Sequence, residues 1–175
     1  MNKLSKIIFV ISLLFGVLTG CKDDTIEPRD YKGKPLIIGV IGEPPEVRGN
    51  NVNFEKITFN RLMELQSPLD YDAVFITKEN LSEAADRKYA RAYKTSGIPF
   101  FFIESKKSYI PFTQEELSYE EAPDVLSDMH VTGYFQEGEQ FRSWGYGLYN
   151  DKLNEANIKN VYIRIFETVE SLSTR

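Results

Sequence analysis

Two short apolar runs bracketing one stretch of helical spacing, between residues 72 and 103, constrain the fold of this chain more than any other feature. Asp72-Ala73-Val74-Phe75-Ile76-Thr77 and Phe100-Phe101-Phe102-Ile103 are compact, rich in strand formers and too short for buried helices. Between them, Asn80 reads as a helix cap with Glu83 three positions later, and the spacing predicts a helix to about Ser96. Leu81, Ala85, Lys88, Tyr89, Ala92 and Tyr93 fall on one face, and Gly97 supplies a left-handed stop before Ile98-Pro99. Strand, helix and strand in this order form a βαβ unit, whose continuous apolar strands suit a parallel sheet covered on both faces.

The flanking segments extend that pattern. Leu36-Ile37-Ile38-Gly39-Val40-Ile41-Gly42 reads as a buried strand ending at Glu43-Pro44-Pro45, where helix is disfavoured. Across residues 52–59, Val52 and Phe54 alternate, while Phe54, Ile57, Leu62 and Leu65 fit helical spacing, which predicts a strand followed by a short helical turn. Residues 131–135 and 141–149 flank a polar, glycine-containing turn and predict an antiparallel hairpin. Ile158, Val161, Tyr162, Ile165, Val169 and Leu172 form the stripe of an amphipathic helix, with Lys159, Arg164, Glu167 and Glu170 left for solvent. Its polar face is mixed in sign, unlike that of a membrane-surface helix. The expectation is one α/β domain over residues 35–175, a small mostly parallel sheet with a C-terminal hairpin and amphipathic helix. It resembles flavodoxin-like or Rossmann-like sheets in pattern only, with no flavin or nucleotide implied.

A chain of 175 residues fits one ordinary domain, and 42% hydrophobic with 27% charged residues is the balance of a folded soluble body. The net charge of -5 disfavours a basic nucleic-acid binder. One Cys and one His exclude an internal disulfide, a Cys/His zinc site and, from where the Cys lies, a Cys-His catalytic pair.

That Cys closes an N-terminal leader. Lys3 and Lys6 are followed by a mainly apolar run over residues 7–17, then by Leu18-Thr19-Gly20-Cys21. The run is far shorter than the roughly twenty apolar residues a spanning helix needs. Leu18-Thr19-Gly20-Cys21 resembles the lipobox of bacterial lipoproteins at every position. The resemblance implies diacylglyceryl transfer to the Cys21 thiol, cleavage after Gly20, a palmitate-type lipid anchor and an extracytoplasmic location. Two acyl chains hold firmly where one binds marginally. Residues 21–34 are then a lipidated N-terminus and a polar, flexible tether.

Candidate chemistry is sparse. Ligands in open α/β sheets sit outside the carboxyl ends of the strands, which places Glu43, Lys78, Glu79, Glu104, Ser105 and Lys106 along one rim. Glu43 and Glu104 would form an acid-base pair only if held close, and otherwise are solvated loop carboxylates. Lys78 and Ser105 are candidate binding residues on the same rim. Trp144 and Tyr146, within Ser143-Trp144-Gly145-Tyr146-Gly147, have the composition to stack on a sugar or peptide and equally that of cross-strand packing. Gly39 and Gly42 lack a dinucleotide fingerprint or P-loop. His130 lacks Cys companions, and the nearby acids Glu120, Glu121, Asp124 and Asp128 lack calcium-loop spacing, so no metal or cofactor is expected and residues 120–128 read as a capped or solvated helix. The reading is a lipid-anchored binding or interaction module at the cell envelope, its partner an envelope protein or small ligand and not a nucleic acid. The alternative is a surface hydrolase using the rim carboxylates.

Overall fold

The computed structural model describes residues 26, 29–47, 51–65, 70–125 and 128–172. Its strands are β1 (Leu36–Ile41), β2 (Val52–Lys56), β3 (Ala73–Ile76), β4 (Phe100–Ile103), β5 (Met129–Glu137) and β6 (Gln140–Gly147). The helices are α1 (Phe59–Glu64), α2 (Leu81–Ala84), α3 (Arg87–Thr95), α4 (Ile110–Thr113) and α5 (Glu155–Leu172). One sheet runs in the order β2-β1-β3-β4-β5-β6. The first four strands are mutually parallel, β5 returns antiparallel to β4, and β6 completes the hairpin. The mixed α/β class, the mostly parallel sheet, the hairpin and the closing helix follow the sequence pattern.

Every residue of β3 and β4 is buried, so both sheet faces carry a core. On one face Phe100, Phe102, Val74 and Ile76 meet Leu62 of α1, Tyr89 and Tyr93 of α3 and Phe112 of α4. On the other, Phe75 and Phe101 meet Val161, Ile165, Phe166 and Val169 of α5. Among the described residues α5 is the one helix on that face.

The helix expected over residues 80–96 divides at Ala85. Asp86 has an extended backbone, and its carboxylate accepts from Lys88 N at 3.0 Å, starting α3 afresh as an N-cap. Asn80 caps nothing; its amide donates to Thr77 Oγ1 at 3.1 Å, while Glu83 accepts from the Tyr89 hydroxyl at 3.0 Å. Gly97, at φ 67°, makes the expected left-handed stop. No helix forms over the described residues of 114–125, where a solvated helix is expected from 120 onward. Glu121 N donates to the Ser118 hydroxyl at 3.3 Å and Ser118 N to the Glu121 carboxylate at 3.2 Å as in a helix start, but Pro123 follows and removes the next donor. Lys107, with a side chain only 13% exposed, pins this loop through Asp124 at 2.6 Å and the Ala122 carbonyl.

The polar face of α5 is not left to solvent. Glu167 pairs with Arg29 at 2.8 Å, Lys159 with Asp30 at 2.6 Å, and Glu170 accepts from Lys34 N at 3.1 Å. Between these contacts Tyr31 is buried with its ring edge-on to Phe166 at 5.5 Å, and its hydroxyl donates to the Lys34 carbonyl. Residues 29–34, part of the stretch read as tether, therefore pack along α5. Exposed ion pairs of this kind are worth about 0–1 kcal/mol each, so the burial of Tyr31 dominates.

Phe101 is fully buried between the rings of Phe75 at 5.6 Å, Tyr146 at 6.1 Å and Trp144 at 6.2 Å. Phe101→Ala is expected to destabilise the domain by about 3–5 kcal/mol in urea unfolding. A loss below about 1 kcal/mol would show that this face is not tightly packed.

Candidate functional site

The strand order reverses direction between β1 and β3, the place where open α/β sheets usually open a crevice. Here protein groups occupy that rim. The Thr77 hydroxyl donates to Glu79 and lies 3.2 Å from the Ile41 carbonyl, while the Asn80 amide donates to that hydroxyl. Gly42, at φ 114°, admits this approach, since a Cβ there would sit 1.8 Å from Thr77 Oγ1. Glu79 also lies against Gly42, its carboxyl held below the usual range first by the Thr77 hydroxyl and then by its own backbone N–H.

The rim carboxylates go to separate lysines. Glu43 pairs with Lys56 of β2 at 2.6 Å, and Glu104 with Lys78 at 3.3 Å; all four side chains are substantially exposed. Glu43 follows β1 and Glu104 follows β4 with β3 between, a backbone separation of about 10 Å from strand spacing. Glu104 has a left-handed backbone, φ 55°, where β4 turns off the sheet. Near Glu104 and Lys78 stands His130 of β5, its pKa lowered chiefly by burial and also by Lys78, against the opposing pull of Glu104.

Ser105 is fully buried, and its hydroxyl donates to the Lys107 carbonyl at 3.0 Å while accepting from Lys107 N, which makes it a turn residue. Trp144 is partly buried on Phe101. Tyr146 is buried; its hydroxyl donates to Thr168 at 2.8 Å, and burial pushes its pKa up to about 12. Among the described residues no three His, Cys, Asp or Glu side chains assemble a metal site. Cys21 lies outside the described residues.

The open feature at this end of the sheet lies on the α5 face. A cavity of about 580 Å³ runs between residues 45–47, just after β1, and the first two turns of α5. Pro45, Val47 and Ile158 supply apolar walls, Glu46, Glu155 and Lys159 charged ones, and Tyr162 the inner wall. This volume lies in the range of ordinary ligand sites. Burial, reinforced by the nearby Glu104 charge, raises the Tyr162 pKa well above that of a free phenol, so its hydroxyl remains protonated. Sequence reasoning reached the rim through the strand ends but passed over Tyr162, which reads there as one more position on an apolar helix stripe.

No protein-family model, curated protein or solved structure matches this chain.

His130 is the sole histidine, so its imidazole C–H signals are unambiguous in a proton NMR titration. The expected midpoint lies below 6.5, the direction set by burial. With the folded pKa below the unfolded one, the His130 contribution to stability is complete above about pH 6.5 and is lost as pH falls through the folded pKa. A midpoint above 6.5 would mean that Glu104 outweighs burial.

Proposed function

We propose that the chain is a lipid-anchored lipoprotein on the extracytoplasmic face of the cell membrane, acting as a binding module through the cavity beside α5. The observation that carries the anchor is Leu18-Thr19-Gly20-Cys21, placed after a basic and then an apolar segment and containing the sole cysteine of the chain. No helix among the described residues is long and apolar enough to cross a membrane. The binding half of the reading is supported by a cavity of mixed polarity whose walls include charged groups.

Packing of residues 29–34 on α5 gives this arrangement a geometry. Arg29 lies eight positions after Cys21, a reach of at most about 29 Å when fully extended. Asp30 pairs with Lys159, itself a wall of the cavity, so the chain joins the body beside the proposed site. A lipid at Cys21 would therefore hold the cavity within a short distance of the membrane.

Cys21→Ala is expected to abolish incorporation of labelled palmitate and to move the protein from the membrane to the soluble fraction. Continued labelling of the variant would contradict the assignment of Cys21.

A further inference from the structure

Most buried tyrosines of this protein place their hydroxyl on a protein acceptor. The hydroxyls of Tyr31, Tyr89, Tyr93, Tyr134 and Tyr146 each donate to a protein oxygen. Tyr162 is 95% buried, with its ring against Phe75 at 5.9 Å and Phe166 at 6.3 Å, yet its hydroxyl has no hydrogen-bond partner among the described residues and its side chain lines the cavity. Among the described residues the fully buried side-chain atom left without a partner is Arg164 Nε, so the Tyr162 hydroxyl is open to the cavity and free to donate to an acceptor arriving there.

The charges around it indicate what else the ligand carries. Glu46 and Glu155 are exposed carboxylates on the two sides of the cavity, while Lys159, the cation in its wall, is engaged by Asp30 at 2.6 Å. The partial positive charge at the start of α5 favours an anion, but Asn154 Oδ1 already accepts from Asn157 N at 2.9 Å. Two full carboxylate charges exceed that half charge, which leaves the described part of the cavity acidic. Pro45, Val47 and Ile158 supply apolar contact for a methylene chain.

We propose that the cavity receives a lysine or arginine side chain from an extended polypeptide segment, its cation held by Glu46 and Glu155 and a peptide carbonyl accepting from Tyr162. This rests on the reading of the chain as a binding module and names the ligand class of that site. A polypeptide supplies the acceptor, the aliphatic stem and the cation together.

The test is a fluorescence-anisotropy titration of fluorescein-Gly-Gly-Lys-Gly-Leu-amide with the purified, detergent-solubilised lipoprotein, beside the same peptide with norleucine for lysine. Saturable binding of the lysine peptide is expected, weakened at least about fivefold by norleucine and about three- to tenfold by Tyr162→Phe, the loss of one hydrogen bond. Glu155→Gln, an exposed change that leaves the core alone, is expected to weaken it by a similar factor. Equal binding of both peptides, no binding at millimolar peptide, or unchanged affinity in both variants would overturn the proposal. Palmitate labelling at Cys21 is scored separately, so peptide recognition can fail while the anchored-module reading stands.

Discussion

The fold is organised by the burial of every residue of β3 and β4, eight residues on adjacent strands. Strands buried this way require cover on both sides, because each exposed core side chain would forfeit about 1.5–3 kcal/mol of burial. One side is covered by α1, α3 and α4, which arrive from the connections between strands. The other is served by α5, with Tyr31 extending its cover toward β1. The described residues linking β1 to β2 contain no helix that would share this task. The cavity between residues 45–47 and α5 opens beside that connection.

The α5 face also explains the position of the chain entry. Arg29, Asp30 and Lys34 meet polar groups of the helix while Tyr31 enters the core, so the N-terminal segment is part of the domain from residue 29 onward. The individual ion pairs are weak and screened by salt, whereas the aromatic contact of Tyr31 with Phe166 is not. In the proposed anchored state, the same contacts would fix which side of the molecule is nearest the membrane.

Much of the architecture was legible because its signals are local. Continuous apolar runs marked β1, β3 and β4, Gly97 marked the end of α3, and the apolar stripe marked α5. Signals failed where two local devices competed. Asp86 outranked the continuation of the helix from α2, and Pro123 stopped a turn that Ser118 and Glu121 had begun. The site was legible only in part. Strand ends indicated one rim, and there Glu43 and Glu104 pair with Lys56 and Lys78, partners distant enough in sequence that no spacing rule connects them. Tyr162 carries no motif at all; its significance lies in its place on the cavity wall without a hydroxyl partner among the described residues, which only three-dimensional placement reveals.

The claim that the cavity beside α5 is the working surface of an anchored binding module is tested most directly by site-specific photocrosslinking in living cells. Benzoylphenylalanine placed at Ile158, in the cavity wall, is compared with the same group at Thr95, on the opposite sheet face. The account predicts that position 158 captures one envelope polypeptide through a segment bearing lysine or arginine, and that position 95 does not. Capture of a single partner from position 95 with none from 158, or indistinguishable adducts from both, would contradict it.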